Sequence, residues 1–472
     1  MGFFRWYIYI KSFSRKLKPV IAPQSLKNLR GVMRARWCFY CFVHLSILSG
    51  RAIHAFFVRS EKGGYFMDVV RKKKRNRWIK QIQQEVSYVT EQDYSFLDHH
   101  IKDKRIVLLG ESSHGVGDYL SAKIDIIHYL HKNHGFNVVV LESGLLEATM
   151  CNVFLRDTPA KEKIQNCLLD IFHNEEMKPL FIEDWAQHVQ VSGMDVQPTY
   201  SLISEHMLEW AKVHVDNELY ESLKKVEMLY FELDKEIIFK ITKQLKARMK
   251  MAIEEYQKVL LLLHSNRKEH IDHNESRMFE LIHQGILNRV QWLEVNLKGF
   301  LSSGVLRGRL MYENLEWLMN HYYKGEKVIV WAHNFHIRKA QTLFSKLLGI
   351  KSVGYWLQQN HPNDFYSIGL YAGSGTYATQ LRVELAINVQ KKNHLESLLN
   401  EATNEHVFLP LDLPDQERKN RMWFNRKWWL LESGMMGMAP KVIYPQDHYD
   451  ALLFFKDVHP PHYFTRDDNE DE

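Results

Sequence analysis

Two glutamates and three histidines carry the reactive groups of this chain, and each follows a short apolar run. Glu111 and His114 lie in the turn Gly110-Glu111-Ser112-Ser113-His114-Gly115, Glu142 ends Val138-Val139-Val140-Leu141, and His333 and His336 follow Lys327-Val328-Ile329-Val330-Trp331. Imidazole has the reference pKa best suited to taking and returning a proton near neutrality, and a neighbouring carboxylate fixes its tautomer and steadies its charged form. Such a set is equipment for activating water. Glycines beside Glu111 and His114 let the backbone bend sharply and leave side chains projecting into a cleft.

These groups need elements that bring them together. Ile106-Val107-Leu108-Leu109 and Val138 to Leu141 are unbroken apolar runs, as expected of strands buried on both faces, and the residues between them have helical spacing. This reads as a βαβ unit, with Asp118 as N-cap and Gly135 as C′ residue of its helix. In an open parallel sheet the carboxyl ends of the strands line one crevice, so distant strand ends can share a site. Val328 to Trp331 makes a third such strand. Val189 to Val191 reads as a strand ending in the polar loop Gly193-Met194-Asp195-Val196-Gln197-Pro198, and residues 367–371, 407–411 and 451–455 are further strand candidates.

The fold class expected is therefore α/β, a mainly parallel sheet flanked by helices and interrupted by a large helical insert. No proline occurs between Pro198 and Pro362 and no glycine between Gly193 and Gly285, while Glu and Lys alternate with Leu, Ile, Met and Tyr. That composition predicts long amphipathic helices, read here as a helical hairpin over residues 201–300 that packs over the sheet. His270-Ile271-Asp272-His273 within it reads as a solvated turn. Residues 81–200 and 301–465 supply the two parts of the catalytic core, and residues 466–472 form an acidic tail expected to be disordered.

Charge divides the 472 residues unevenly. Residues 1–80 hold 19 Lys and Arg against 2 Asp and Glu, so the net charge of +6 leaves the remaining chain at −11. The main body has no basic surplus for nucleic acid. Residues 1–80 read as a basic, poorly ordered extension, with Met67 as an alternative start and Lys72-Lys73-Lys74-Arg75 as a solvated charge run. Trp37 to Leu48 is too short to span a bilayer, so no stable membrane insertion is expected. Four cysteines, Cys38, Cys41, Cys151 and Cys167, are too few for a disulfide framework and fit a reducing, cytoplasmic setting. Cys38-Phe39-Tyr40-Cys41 lacks the second ligand pair of a zinc site.

Other chemistries compete for the same turn. Gly110, Gly115 and Gly117 do not have the GxGxxG spacing of a dinucleotide fingerprint, no Gly-Lys-Ser/Thr forms a P-loop, and neither Ser112 nor Ser113 stands in a Gly-x-Ser-x-Gly elbow. Glu111, His114, His333 and His336 include good zinc or manganese ligands, so residue types alone leave a metal-dependent hydrolase open.

At Gly110-Glu111-Ser112-Ser113-His114-Gly115 the sequence resembles the erythromycin esterase family, whose hallmark is a Gly-Glu-x-x-His-Gly turn. The likeness continues through Lys123, Leu141-Glu142-Ser143, Gly193-Met194-Asp195-Val196-Gln197, Met311-Tyr312-Glu313-Asn314 and Trp331-Ala332-His333-Asn334-Phe335-His336, over roughly residues 85–460. The resemblance implies hydrolysis of a small-molecule ester or lactone, a macrolide ring above all, without a covalent intermediate and with no cofactor. It makes His114 the general base and Glu111 its orienting partner. Glu142 becomes a second acidic group, with His333 and His336 on the substrate carbonyl or leaving alkoxide. Lys123, Asp195 and Asn334 become substrate-binding residues. Where the family often carries an Arg-Asp pair, this chain has Arg307-Gly308 and Met311-Tyr312, so the resemblance leaves that helix's contribution to the site open. Haem-binding lipoproteins of distantly similar fold represent a non-catalytic alternative, against which stands the lack of a lipobox cysteine near Met1.

Overall fold

The computed structural model describes residues 64–464 apart from 91–92, 200–202, 238–240, 266–272, 299, 390 and 435–436. Cys38, Cys41, the Trp37 to Leu48 run, His270 to Asp272 and the acidic tail lie outside the described residues. The strands are β1 (Ser87–Tyr88), β2 (Ile106–Leu109), β3 (Phe136–Gly144), β4 (Gln190–Asp195), β5 (Lys327–Trp331), β6 (Phe365–Ala372), β7 (Thr376–Ala378), β8 (Glu384–Ala386), β9 (Val407–Pro410), β10 (Trp428–Gly434), β11 (Gly437–Ile443) and β12 (Ala451–Phe455). Eight of them make one sheet in the order β1-β9-β12-β6-β2-β5-β3-β4, while β7–β8 and β10–β11 are separate hairpins. From β12 to β4 every pairing is parallel, and only β9 near one edge is reversed, pairing antiparallel with both β12 and β1. The α/β expectation matches this architecture.

Burial explains why the central strands were so apolar. Every residue of β2 is buried, as are all of β6 and β12, because helices cover both faces of the parallel core. Three helices of the first part of the described chain are α1 (Gly64–Gln83), α2 (Gly117–His134) and α3 (Leu145–Phe154). α2 links β2 to β3, but those two strands are not neighbours: β5 lies between them. Gly135 ends α2 in the left-handed conformation at φ 69°, as its position predicted. Asp118 is not the N-cap. Val116 occupies that position, and the Asp118 carboxylate accepts the His459 backbone N–H at 2.6 Å.

Several boundaries differ from expectation. Residues 64–80 belong to the folded body, since Trp78 of α1 is buried edge-on against Trp428 and Arg75 grips Glu401 through both carboxylate oxygens at 2.7 and 2.8 Å. A helix that docks through aromatic and basic side chains shows no clean amphipathic period. β4 extends through Gly193 and Met194 to Asp195, so the first half of the expected loop is strand. The insert is not a single hairpin: it is α4 (Ile203–His214), α5 (Asn217–Ile237), α6 (Lys243–Ser265) and α7 (His273–Leu297), followed by α8 (Phe300–Trp317) leading back to β5. Its interior is partly ionic. Arg289 of α7 lies 2.7 Å from Glu147 of α3 and 3.6 Å from Glu227 of α5, which ties the insert to the helix directly after β3. Among the described residues no helix is long and apolar enough to cross a membrane.

The fully buried Leu108 in β2 and Leu343, 77 % exposed, make a direct test of where stability resides. Leu108→Ala is expected to lower the unfolding free energy by about 2–5 kcal/mol in urea denaturation. Leu343→Ala is expected to stay within about 0.5 kcal/mol of the parent.

Candidate active site

The register of the sheet brings the reactive strand ends level. Leu109 of β2 and Leu141 of β3 both pair with Trp331 of β5, and Leu141 also pairs with Gly193 of β4. Glu111, Glu142, His333 and Asp195 therefore leave one row within two residues of it. Gly193 permits the close approach, because a Cβ there would meet Ser143 O at 2.3 Å. Gly115 does the same on the other side, where a Cβ would collide with Ala378 O of β7.

Glu111 is the centre of the first group. His114 donates from Nδ1 to Glu111 Oε1 at 2.5 Å, Lys123 Nζ donates to Oε2 at 2.5 Å, and Trp331 Nε1 donates to the same oxygen at 3.2 Å. Lys123 is fully buried on α2 and lies over the Trp331 ring, 4.6 Å from its centroid. Burial alone would raise the Glu111 pKa, but the Lys123 ammonium and the His114 imidazole outweigh it and hold the carboxyl at about 2. Burial pulls Lys123 down to about 8 against the attraction of Glu111, so it remains a cation at neutral pH. His114 is also desolvated, yet Glu111 and then Glu142 raise it above its ordinary 6.5. Because ionised Glu111 can only accept, the His114 proton sits on Nδ1, and Nε2 presents a lone pair when the ring is neutral.

Glu142 anchors a second carboxylate–imidazole pair. Its Oε1 lies 3.1 Å from His336 Nε2, and its Oε2 accepts the His333 backbone N–H at 2.9 Å. Desolvation is again overcome, here by His336 and then by His114 and Arg307, so Glu142 stays ionised well below its usual range. His336 Nδ1 is buried with no hydrogen-bond partner among the described residues. His333 has both ring nitrogens occupied: Nδ1 accepts from Phe335 N at 3.2 Å, which puts the proton on Nε2, donating to Ser112 O at 3.2 Å. Burial, with His114 only 5.2 Å away between ring centroids, pushes His333 down to about 4.

The expected site residues thus converge, with different surroundings from those imagined. Lys123 faces Glu111. Asp195 is held by Arg307, whose Nε donates to Oδ1 at 3.0 Å and whose Nη2 contacts Oδ2. The Asn334 amide bonds the backbone of Leu370 in both directions, at 3.0 and 3.3 Å. All three have their polar atoms engaged by the protein. The sequence left this helix's contribution open, and α8 delivers Arg307 between Asp195 and Glu142, 3.8 Å from the latter's Oε1. Helical spacing was the available signal: Arg307, Met311 and Asn314 recur at intervals of four and three, and Asn314 donates to Met194 O at 2.9 Å. The two hairpins were also missed, although both clasp the first motif. Ala378 N donates to Gly115 O at 2.8 Å and Ser433 N to Ser112 O at 2.7 Å. Among the described residues no group of three or more His, Cys, Asp or Glu could hold a metal ion.

This electrostatic arrangement fixes how acid acts on the fold. His333 is at about 4 in the fold against 6.5 ordinarily, so its contribution is present above pH 6.5 and lost as pH falls towards 4, up to about 3 kcal/mol. Glu111, about 2 against 4.5, extends the loss below pH 4.5. His114, being raised, acts oppositely: its contribution is complete below pH 6.5 and fades as pH climbs through its folded value. Urea melts are expected to show falling stability between pH 6.5 and 4, with a shallower fall in His333→Asn; an equal slope in both proteins contradicts the assignment.

Comparison with known proteins places this geometry in a family. The sequence profile of the family Erythromycin esterase matches residues 131–458. The Bacillus subtilis (strain 168) protein YbfO is 25 % identical over 424 residues, 82 % of this chain and 91 % of that protein. Erythromycin esterase type II of Escherichia coli is 23 % identical over 312 residues, covering 60 % of this chain and 72 % of that protein. Among solved structures, a Bacillus cereus protein superposes with a TM-score of 0.68 at 21 % identity, over 83 % of this chain and 99 % of its own. A mutant of the erythromycin esterase EreC in its open conformation gives 0.56 at 16 % identity, over 78 % and 94 %. The structural likenesses speak for the fold, and the profile, which spans more than half of the sequence, shows that the chain belongs to the erythromycin esterase family.

Proposed function

We propose that this chain hydrolyses small-molecule esters, lactones foremost, by direct attack of water. The observation that carries the reading is His114 held by buried, ionised Glu111 through Nδ1 at 2.5 Å. With that nitrogen occupied, Nε2 takes the proton from water as the hydroxyl oxygen bonds to the ester carbonyl carbon. Glu111 stabilises the imidazolium formed. Collapse of the tetrahedral adduct breaks the carbon–alkoxide bond, and the departing alkoxide recovers the proton from His114 Nε2. His336, backed by Glu142, is assigned to the developing negative oxygen, with Nδ1 as donor when the ring is charged. His333, whose nitrogens both bond backbone, acts as a positioning residue that ties the β5 turn to Ser112. Asp195 and Arg307 serve as positioning residues for Glu142.

No step draws on a metal or a redox cofactor. The names of the Escherichia coli type II esterase and of EreC make a macrolide ring the first lactone to try, and macrolide opening would give this chain a part in antibiotic resistance. Simpler lactones belong in the same screen, read by the mass gain of one water. His114→Ala is expected to reduce hydrolysis by about 100-fold or more with the fold intact by circular dichroism. A His114→Ala protein that opens the ring at the parent rate would falsify the choice of base. Treatment with a chelator is expected to leave the parent rate unchanged, and loss of activity restored by added zinc or manganese would transfer water activation to a metal.

A further inference from the structure

The turn between β7 and β8 contains an arginine in an unusual backbone conformation. Arg382 has φ 56°, and among the described residues it is the one non-glycine residue with positive φ. The turn is closed by Arg382 N donating to Thr379 O at 2.7 Å, Thr379 N to Val383 O at 2.9 Å, and Val383 N to Thr379 Oγ1 at 3.2 Å. A short hairpin loop ordinarily places glycine at such a left-handed position. Arginine there is strained, and its side chain gains no hydrogen bond in return: among the described residues none accepts from the guanidinium, which lies 4.4 Å over the Tyr463 ring.

The surroundings tie this turn to the site. Ala378, at the end of β7, bonds Gly115 beside His114. The segment carrying Tyr463 runs along the same motif, with Gly117 N donating to His459 O at 2.8 Å and Thr376 N to Val458 O at 2.9 Å. Tyr463 bridges to Asn174, and Phe464 N donates to His173 O at 3.1 Å. Arg382 and His114 both act electrostatically on Asp170, while Arg382 and Glu111 both act on the Tyr463 hydroxyl. Leu381, Val383 and Leu385 expose apolar surface on the same hairpin. Lys123 and Arg307 are engaged by Glu111 and Asp195, whereas the Arg382 guanidinium donates to no oxygen among the described residues and acts on Asp170 through charge alone.

We propose that Arg382 reads the substrate, and that the chain prefers esters whose acyl part carries a carboxylate. A guanidinium stacked on an aromatic ring keeps its planar edges free, and those edges match a carboxylate through two parallel N–H donors. The apolar residues on either side of Arg382 fit the carbon skeleton between that carboxylate and the ester. The proposal rests on the hydrolase reading above.

The test compares the monoanionic 4-nitrophenyl hemiester of glutaric acid with neutral 4-nitrophenyl butyrate, and measures glutarate binding by calorimetry. Arg382→Gly suits the left-handed backbone, so its melting temperature is expected to equal or exceed that of the parent. The ratio of kcat/KM for the anionic over the neutral ester is expected to fall about tenfold or more in Arg382→Gly, with partial recovery in Arg382→Lys and with weakened glutarate binding. An unchanged ratio, or a parent that favours the neutral ester, overturns the proposal. If neither ester is hydrolysed but glutarate binds the parent and not Arg382→Gly, the anion site stands and the hydrolase reading falls. If glutarate binds both proteins equally, the anion site falls whatever the hydrolysis shows.

Discussion

Glu111 carries a negative charge where solvent does not reach, and Lys123 makes that charge tolerable. Both side chains are fully buried, and their 2.5 Å contact is walled on one side by the Trp331 ring. Removing one member of such a pair leaves an uncompensated buried charge, at a cost of about 3–5 kcal/mol. The pair also decides the state of His114. An ionised Glu111 holds the proton on Nδ1 and leaves Nε2 with its lone pair free, whereas a protonated one could donate and reverse the tautomer. The turn after β2 is shaped to this end: Gly110 and Gly115 have no room for a side chain, against Asn334 and Ala378 respectively.

The strand order is what turns one glutamate–histidine pair into a site. β5 lies between β2 and β3, so its trailing histidines emerge between Glu111 and Glu142. Each carboxylate then takes a different imidazole, Glu111 with His114 and Glu142 with His336. His333 connects the halves through its backbone N–H on Glu142 and its ring on Ser112 O. The helix that leads out of the insert contributes from the β4 edge, where α8 supplies Arg307. Lys123 and His114 beside Glu111, and His336, His114 and Arg307 beside Glu142, offset the cost of burial and keep both glutamates ionised.

What was legible in the sequence follows from burial on two faces. β2, β3 and β5 are unbroken apolar runs because helices cover them, and the reactive residues directly after them were visible for the same reason. β8, exposed along its length, carries no such run, and β10, although it opens with Trp428-Trp429-Leu430-Leu431, pairs with β11 outside the main sheet; neither was seen. α1 was taken for a solvated extension because Lys72 to Lys74 are indeed exposed, while Trp78 and Ile82 make its contacts. The family resemblance put Lys123, Asp195 and Asn334 near the site, but it did not say that Glu111, Arg307 and the Leu370 backbone engage them. That information lies in which charges face each other, and a linear pattern does not hold it.

The central claim is that buried, ionised Glu111 makes His114 a base at Nε2, and nitrogen-15 NMR of the imidazoles reads this directly. The account predicts a neutral His114 ring above its transition that is protonated on Nδ1 and bare on Nε2, with a titration midpoint above 6.5. A His114 ring that carries its proton on Nε2, or that titrates below 6.5, would contradict it.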